Sequence, residues 1–396
     1  MTDAFLVASV RTPIGKYLGG LSDLSAPELG GRVLQETLVR ASLPVGSVDE
    51  VIMGCVLQAG LGQNPARQAA LKAGLPDTVA AFTVNKVCGS GLKAVMLAAQ
   101  AIRAGDADVI LAGGMESMSR APHLLFGTRA GWKIGDQKAL DAMIHDGLWC
   151  AFENWHMGEA AEHIAKKCAV SRGEQDRFSV QSHQRAAQAW AQGAFNAEVV
   201  PISIGAGAKV KTLAQDEGFR PDSNEGALAK LRPSFRADGT VTAGNASMLS
   251  DGAAAVAVVS PRGLEKFGRK PMARIIAYAT SGIAPKDIFL APVGAVRMVL
   301  AKARLTIQDI DLFELNEAFA AQMLACNKDL RIDEAKLNIQ GGAIALGHPI
   351  GASGTRVLVT LLHALQRRDL RRGLASLCLG GGNAVAMIFE LVSGEW

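Results

Sequence analysis

The sequence is poor in aromatic and charged residues and contains no long uninterrupted hydrophobic run. Only 5% of its 396 residues are aromatic and 20% are charged, and the formal net charge at pH 7 is +4. Polar residues or glycines interrupt every apolar run well before the length of about 18 residues that a membrane-spanning helix requires. We therefore expect a soluble protein that does not act at a membrane.

Clusters of basic residues are also scarce, which disfavours nucleic-acid binding. The one short basic run covers 367–372 and lacks the interleaved aromatic residues that stack on bases. A small positive charge is compatible with a polyanionic small molecule as ligand. No nucleic-acid partner is predicted.

The sequence contains no paired cysteines. Its six cysteines lie far apart, none forms a CxxC pair, and none has histidines at metal-ligand spacing. This pattern predicts reduced thiols, no bound metal and a cytoplasmic location. The segment 1–16 lacks a basic stretch followed by an apolar one, so no signal peptide is predicted.

Apolar residues and glycine, in contrast, are abundant: the chain is 49% hydrophobic and contains 43 glycines. This composition is typical of a globular α/β enzyme with many tight turns. Because one hydrophobic core stops growing at about 250–300 residues, we expect two packed units or one duplicated fold.

Two stretches of the chain show the same order of strand and helix signals. In the first, a strand-like run at 81–91 ends in glycines, an apolar helix pattern follows at 92–105, and a second strand-like run ends in glycines at 107–117. Residues 336–384 repeat this order. The sequence therefore predicts a duplicated β-α-β fold with mixed sheets covered by helices.

The segment 119–248 differs from both stretches. It holds four of the five tryptophans, a charged helical pattern at 171–193 and a polar stretch at 218–235. We expect it to be an insertion that lies over the sheets, and such insertions often bind substrate.

Cys88 is the first candidate for chemistry. It precedes Gly89 at the predicted start of a helix, where free backbone N–H groups and the helix dipole favour negative charge. This placement is expected to lower the pKa of the thiol and, with a nearby base, to make it a nucleophile. The alternative is a buried, inert cysteine.

His348 and Cys378 are candidates from the second unit. His348 occupies the place that Cys88 occupies in the first unit, so the two loops are expected to face one another. A neutral imidazole there could take the thiol proton; the alternative is a turn histidine bonded to backbone groups. Cys378 ends a strand at a glycine turn, whose free N–H groups can bind an oxyanion. The alternative for Cys378 is a place in the core.

Several long motifs, in this order along the chain, make the sequence resemble the thiolases over essentially its whole length. The resemblance is strongest to the short-chain biosynthetic members. The stretches that carry it are RTPIGK (11–16), GQNPARQAA (62–70), NKVCGSGLKAV (85–95), AGGMESMS (112–119), TAGNAS (242–247), NEAFAAQ (316–322), GGAIALGHPIGASG (341–354) and LCLGGG (377–382).

The resemblance implies the thiolase fold. In this fold two duplicated halves of mixed β-sheet and α-helix stack in α-β-α-β-α layers, and a loop domain is inserted. The implied N-terminal half covers 1–118 plus 249–267, the loop domain covers 119–248, and the C-terminal half covers 268–396.

The resemblance also implies a mechanism. Cys88 is the nucleophile that is acylated, His348 withdraws its proton, and Cys378 is the general acid/base. The implied reaction is a reversible Claisen condensation of two acetyl-CoA molecules to acetoacetyl-CoA and CoA, with ping-pong kinetics. One implied oxyanion hole uses His348 and a water held by Asn316, and the other uses the backbone N–H groups of Cys88 and Gly380. No metal or redox cofactor is implied, and coenzyme A is a substrate and product.

A row of residues is expected along bound CoA by the same resemblance. Those expected along the pantetheine arm are Leu148, His156, Met157, Ala243, Ser247, Leu249, Ala318 and Phe319, and those expected near the adenine end are Arg220 and Phe235. The alternative for the apolar members is ordinary core packing. The segment 120–136 resembles the loop through which tetrameric relatives associate, so a homotetramer built from dimers is expected.

Two stretches depart from the short-chain pattern where the acyl group would bind. The pair His156 and Met157 is associated with short acyl chains. Ile288 and the bulky Phe289, however, stand where a methionine and a small residue are usual, and Phe289 is expected to reshape the pocket mouth. The run WCAFENW (149–155) also differs from the usual one.

These departures leave a 3-ketoacyl-CoA thiolase of fatty-acid or aromatic-acid degradation, with longer or substituted acyl chains, as the alternative function. Condensing ketosynthases share the duplicated fold but pair one cysteine with two histidines, and Cys378 argues against them. A non-catalytic relative would be expected to have lost a nucleophile or base, whereas Cys88, Asn316, His348 and Cys378 are all present.

Overall fold

The computed structural model describes residues 2–205 and 210–392. Met1 and residues 393–396 of the predicted halves, and residues 206–209 of the predicted loop domain, lie outside the described residues. The strands are β1 (Phe5–Arg11), β2 (Gly15–Lys16), β3 (Glu50–Gly54), β4 (Ala80–Val84), β5 (Val109–Ser117), β6 (His123–Leu125), β7 (Ala139–Asp141), β8 (Trp149–Cys150), β9 (Trp155–His156), β10 (Ile202–Ile204), β11 (Lys211–Leu213), β12 (Ser250–Val259), β13 (Ala273–Gly282), β14 (Leu312–Leu315), β15 (Arg372–Leu379) and β16 (Asn383–Leu391). The helices are α1 (Ala26–Ala41), α2 (Pro65–Lys72), α3 (Ser90–Ala104), α4 (Met157–Lys167), α5 (Arg172–Ala191), α6 (Glu225–Ala229), α7 (Pro261–Phe267), α8 (Ala291–Ala303), α9 (Ala320–Leu330), α10 (Ala343–Leu346) and α11 (Ser353–Arg367).

Ten strands form one mixed sheet, which confirms the predicted α/β class. Nine of them lie in the order β14-β15-β16-β13-β1-β12-β5-β3-β4, and β2 pairs with β12. Outward from the centre, β1, β12, β5 and β3 on one side correspond to β13, β16, β15 and β14 on the other. In each half the outer pair is parallel and the inner pairs are antiparallel. The predicted duplication is therefore present in the sheet.

Among the residues that the structure describes, the two half-sheets are joined where β1 meets β13, through the pairs Phe5↔Arg274 and Leu6↔Ala273. Helices α3 and α11 contact each other and strands of both halves, so they form a central layer. Helices α1 and α2 cover the N-terminal half-sheet, and α8 covers the C-terminal one. This is the predicted α-β-α-β-α order. Because α11 is enclosed on all sides, 12 of its 15 residues are buried.

The second β-α-β unit differs from the first at its beginning. The counterpart of β4 is reduced to a single parallel bridge between Leu337 and Phe313. The next residue, Asn338, has a φ of +46° and so turns the chain away from the sheet. Its side-chain amide then accepts from Leu315 N at 2.9 Å and donates to Leu315 O at 2.8 Å. A carboxamide thus supplies the hydrogen bonds that the next strand residue would have made.

Residues 119–248 add no strand to the ten-stranded sheet in the part of this segment that the structure describes. Their strands pair only with one another, as β6-β7, β8-β9 and β10-β11. Helices α4 and α5 pack against α9 of the C-terminal half. Over 2–205 and 210–392, no helix combines the length and the apolar character needed to cross a membrane.

Candidate active site

A large pocket, with a cavity volume of about 660 Å³, lies where loops of both halves meet the segment 119–248. Its wall includes Cys88 from the N-terminal half and His348, Cys378 and Gly380 from the C-terminal half. We call the surface formed by these four residues the pocket floor. Residues that are far apart in the sequence therefore meet in one cavity.

The loops of Cys88 and His348 face one another, as predicted. Cys88 lies in the turn between β4 and α3, and the His348 loop precedes α11. The first turns of α3 and α11 touch at two glycines. A Cβ at Gly91 would lie 2.6 Å from Thr355 Oγ1, and one at Gly354 would lie 2.3 Å from the Leu92 nitrogen. Only glycine permits this approach at either position.

The expectation that the Cys88 thiol has a lowered pKa is wrong. Burial raises the pKa of Cys88 to about 12, although the backbone N–H groups of Cys88 and Gly380, which donate toward the sulfur, act in the opposite direction. Desolvation of the thiolate at the pocket floor therefore outweighs both backbone donors. The resting thiol is protonated at neutral pH and requires a base.

His348 has the protonation state of such a base. Burial, and secondarily the charge of Arg356, lower the pKa of His348 to about 3, so its imidazole is neutral. Its Nδ1 lies 2.6 Å from the Ser353 hydroxyl, which donates to the Pro349 carbonyl at 3.0 Å. Because that hydroxyl has one proton, it must accept from Nδ1–H, so the lone pair is on Nε2, which the Asn316 amide approaches at 3.4 Å.

Asn316 lies beside His348 but is not part of the pocket wall. It follows β14, and its Nδ2 lies 3.4 Å from His348 Nε2. Its Oδ1 is buried and has no hydrogen-bond partner among the described residues. The side chain therefore has a free acceptor next to the imidazole.

Cys378 is the next-to-last residue of β15 and is 2% exposed. Burial raises its pKa well above the ordinary value for a thiol, and the nearby thiols of Cys88 and Cys326 raise it further. The glycine turn after β15 brings the Gly380 N–H group to the Cys88 sulfur. Two thiols, one neutral imidazole and two backbone donors thus share the pocket floor.

All ten residues predicted to bind CoA line the same pocket. Phe235, expected near the adenine end, stacks on His156 with ring centroids 4.9 Å apart and meets the Phe319 ring edge-on at 6.3 Å. Phe235 thus contacts two of the residues predicted for the pantetheine arm. Arg220 is exposed at the rim, and its backbone N–H donates to His183 Nδ1 at 3.1 Å.

Phe289 lines the pocket, but the expectation that it lies at the mouth is wrong. Its side chain is 2% exposed and belongs to the apolar cluster that contains Cys378. The ring meets that of Phe319 edge-on, with centroids 5.3 Å apart and an interplanar angle of 63°. Phe289 is a wall residue beside the pocket floor, where it occupies space next to the predicted acid/base.

Several residues of the site were not predicted from the sequence. Ser353 holds His348, and His183 lines the outer part of the pocket. Met118 and Ile350 belong to a buried cluster that packs against Cys88. Ser353 could have been suspected, because it stands at the start of a helix just after GHPIG. His183 has no comparable signal, since it lies in the middle of α5.

The sequence and the fold of this chain are similar to those of known proteins. Family models described as "Thiolase, N-terminal domain" and "Thiolase, C-terminal domain" match residues 4–262 and 269–391. An acetyl-CoA acetyltransferase of Cupriavidus necator is 52% identical, covering 98% of this chain and 100% of its own length. One from Pseudomonas aeruginosa is 53% identical over 98% of this chain and 99% of its own. The crystal structure of the Bacillus anthracis acetyl-CoA acetyltransferase superimposes with a TM-score of 0.97 and 41% identity, covering 99% of each chain.

This chain is a two-half α/β protein with paired thiols at one pocket floor. It belongs to the thiolase family.

Proposed function

We propose that this protein is an acetyl-CoA C-acetyltransferase that reversibly condenses two acetyl-CoA molecules to acetoacetyl-CoA and CoA. The observation that carries the proposal is the grouping of two protonated thiols with one neutral imidazole at the pocket floor. The names of the relatives with about half of their residues identical agree with it. Residues 119–248 act as the loop domain between the halves 1–118 plus 249–267 and 268–396.

The first half-reaction moves an acetyl group to Cys88. The sulfur attacks the thioester carbonyl while His348 Nε2 takes its proton, and the bond from the carbonyl carbon to the CoA sulfur breaks. The departing CoA thiolate takes the proton of Cys378. The His348 imidazolium and the Cys378 thiolate that then remain carry opposite charges, so the pocket floor gains no net charge. Desolvation therefore opposes this step less than it would oppose the formation of a single charge.

The second half-reaction forms the carbon–carbon bond. The Cys378 thiolate is strongly basic because its pKa is raised, which suits proton removal from the methyl group of a second acetyl-CoA. The resulting carbanion attacks the acetyl carbonyl on Cys88, and the Cys88 sulfur leaves with the proton from His348. Cys88, His348 and Cys378 all regain their starting protonation states, because the methyl proton replaces the one that Cys378 gave to CoA. No redox cofactor or metal takes part.

The two developing oxyanions are expected at two places, one beside backbone N–H groups and one beside the pair formed by His348 and Asn316. The N–H groups of Cys88 and Gly380 reach the sulfur and so are within reach of an oxygen on the acyl carbon. The free acceptor of Asn316 beside His348 suits a bridging water at the second oxyanion.

We also infer the setting of the enzyme. A homotetramer is supported by the arm 120–136, which exposes Leu125, Phe126, Trp132 and Ile134. The free cysteines suit the cytoplasm, and acetoacetyl-CoA chemistry suits fatty-acid metabolism.

The proposal is tested by incubating the protein with acetyl-CoA and mapping the product by mass spectrometry. One acetyl group is expected, on the peptide that contains Cys88, because this thiol lies at the pocket floor beside a neutral base. The matched control is Cys150→Ala. Because Cys150 is a buried thiol that is not part of the pocket wall, its removal should leave acetylation of Cys88 unchanged. Labelling of another residue, or none, would contradict the proposal.

The alternative, a thiolase for longer chains, is disfavoured by Phe289, whose ring occupies space beside the pocket floor. We predict that Phe289→Leu raises thiolysis of 3-ketohexanoyl-CoA relative to acetoacetyl-CoA by about tenfold or more, since one methylene in an apolar pocket is worth about 1–3 kcal/mol. The ratio of kcat/KM values for the two substrates measures this effect.

The control for that experiment is Phe389→Leu, which makes the same change in the core, away from the pocket. It should leave the substrate ratio unchanged. If both variants shift the ratio equally, or neither does, Phe289 does not set the acyl-chain length.

A further inference from the structure

Glu116 is a fully buried carboxylate for which the proposed reaction provides no role. It lies on β5, and its side chain is 0% exposed. Its Oε2 accepts from Gly351 N at 2.9 Å and from Val56 N at 3.1 Å, and its Oε1 accepts from Leu57 N at 3.2 Å and from Cys55 Sγ at 3.7 Å. The three backbone donors come from the two halves of the molecule, so one carboxylate connects both halves.

The connection is tight at the His348 loop. A Cβ at Gly351 would lie 2.8 Å from Glu116 Oε2 and 3.0 Å from Cys55 Cα. The backbone of Gly351 is therefore pressed directly against the carboxylate and the N-terminal half. Because Gly351 lies between His348 and Ser353, a shift of this backbone would move both the imidazole and the hydroxyl that orients it.

The same carboxylate also fixes one wall beside the nucleophile. Val56 and Leu57, whose N–H groups it accepts, form a buried apolar cluster with Ile350. That cluster packs directly against Cys88. Glu116 thus holds the backbone on the nucleophile side and on the base side of the pocket floor at the same time.

We propose that Glu116 is a positioning residue that aligns Cys88 of one half with His348 of the other. The proposal rests on the proposed function, because alignment matters only if His348 takes the Cys88 proton. A misplacement of about 1 Å between reacting groups can cost about 10²-fold in rate. Loss of this carboxylate should therefore slow acetylation of Cys88 without weakening the binding of acetyl-CoA.

The charge state of Glu116 adds a second consequence. Burial raises its pKa to about 7, although its N–H donors oppose this. The titratable groups beside it are the thiols of Cys55 and Cys88, whose pKa values are raised above the ordinary value, so both stay protonated near pH 7. As pH falls through about 7, the added proton occupies one oxygen and displaces an N–H donor. The rate of Cys88 acetylation should therefore also fall as the pH falls through about 7.

The experiment compares the intact protein with Glu116→Gln, Glu116→Ala and a control, Glu390→Gln. Glu390 is also a mostly buried carboxylate, but it binds Arg371 and Arg372 at the end of β16 far from the glycine turn. Glutamine has the shape of glutamate and retains the bonds to Val56 and Gly351 while its amide nitrogen opposes Leu57 N–H. Alanine loses all three backbone bonds and the bond from the Cys55 thiol.

In Glu116→Gln we expect the first-order rate of Cys88 acetylation to fall about tenfold or more, with KM for acetyl-CoA within twofold of the unmodified protein. The fall of the rate below pH 7 should also vanish, because glutamine does not titrate. Glu116→Ala should lose more, about 10²-fold, and Glu390→Gln should match the unmodified protein. Thermal unfolding and circular dichroism establish that each variant is folded.

A folded Glu116→Gln protein with an unchanged acetylation rate and an unchanged pH profile would overturn the proposal. So would a loss confined to KM, or an equal loss in Glu390→Gln. If Glu116→Ala does not fold, Glu116→Gln decides alone. Failure of the unmodified protein to be acetylated would instead contradict the proposed function, so the two failures are distinguishable.

Discussion

Replacement of Cys378 by alanine is expected to leave acetylation of Cys88 within a few-fold of normal while lowering condensation and thiolysis by about 10³-fold or more. Loss of a general acid/base typically costs about 10²–10⁴-fold. Cys88, His348 and the Gly380 N–H group remain in this variant, and they carry the first attack. The His348 imidazolium formed in that attack then supplies the proton that the departing CoA thiolate otherwise takes from Cys378. The two half-reactions should therefore separate.

Two measurements establish this separation. Mass spectrometry after brief mixing with acetyl-CoA reports the acetyl group on Cys88, and spectrophotometry of acetoacetyl-CoA reports complete turnover. Exchange of the acetyl-CoA methyl protons with deuterated water is the most direct readout, because Cys378 is the group proposed to remove that proton. In Cys378→Ala, the rate of methyl-proton exchange should fall as complete turnover does, whereas the rate of Cys88 acetylation should stay near normal.

The matched control is Cys150→Ala, which also removes a buried thiol but outside the pocket wall. It should retain both half-reactions. If Cys378→Ala loses acetylation and condensation to the same degree, Cys378 is not a separate acid/base. Retained methyl exchange in that variant would also show that another group removes the proton.

Replacement of His348 by alanine is expected to slow both half-reactions together, by about 10³–10⁴-fold. The side chain is proposed to act as the base for Cys88 and as an oxyanion donor, which is typically worth a further 10²–10³-fold, although the two losses do not add fully. Because the pKa of Cys88 is raised to about 12, water alone would leave the thiol protonated. Rapid mixing and steady-state turnover measure the two steps.

The control for His348 is His183→Asn. His183 lies in the same pocket, and burial lowers its pKa to about 4, but its ring accepts from the Arg220 N–H group near the rim. We expect a raised KM for acetyl-CoA and a kcat within a few-fold of normal. If His348→Ala instead keeps a normal acetylation rate, the base is a different group.

Much of the fold could be predicted from the sequence because local patterns repeat. The strand, helix and strand around Cys88 appear as β4, α3 and β5 close to their expected positions. The strands were less predictable from the sequence where a side chain, and not the backbone, makes the hydrogen bonds of a strand residue. Nothing local indicated that Asn338 would substitute for a strand residue, because its amide bonds to Leu315, 23 positions away.

The site shows the same division between local and distant information. Cys88, His348 and Cys378 could be identified because each stands in a glycine-rich turn next to a regular element. The direction of the Cys88 pKa shift could not be predicted from the sequence. The helix N-terminus is a local feature, whereas the burial that raises the pKa depends on residues from both halves. The position of Phe289 was likewise misjudged, since its partner Phe319 lies 30 positions away in the sequence.

The sequence by itself determined the duplicated α/β architecture, the two candidate cysteines and the candidate base, because these follow from periodicity, glycine turns and motif order. Only the tertiary structure decided that the Cys88 thiol is protonated before the reaction and that Ser353 sets the tautomer of His348. It also decided that Glu116 connects the backbone beside Cys88 to the His348 loop. The physical reason is that desolvation and hydrogen bonding between the halves depend on distances in space, which chain order does not specify.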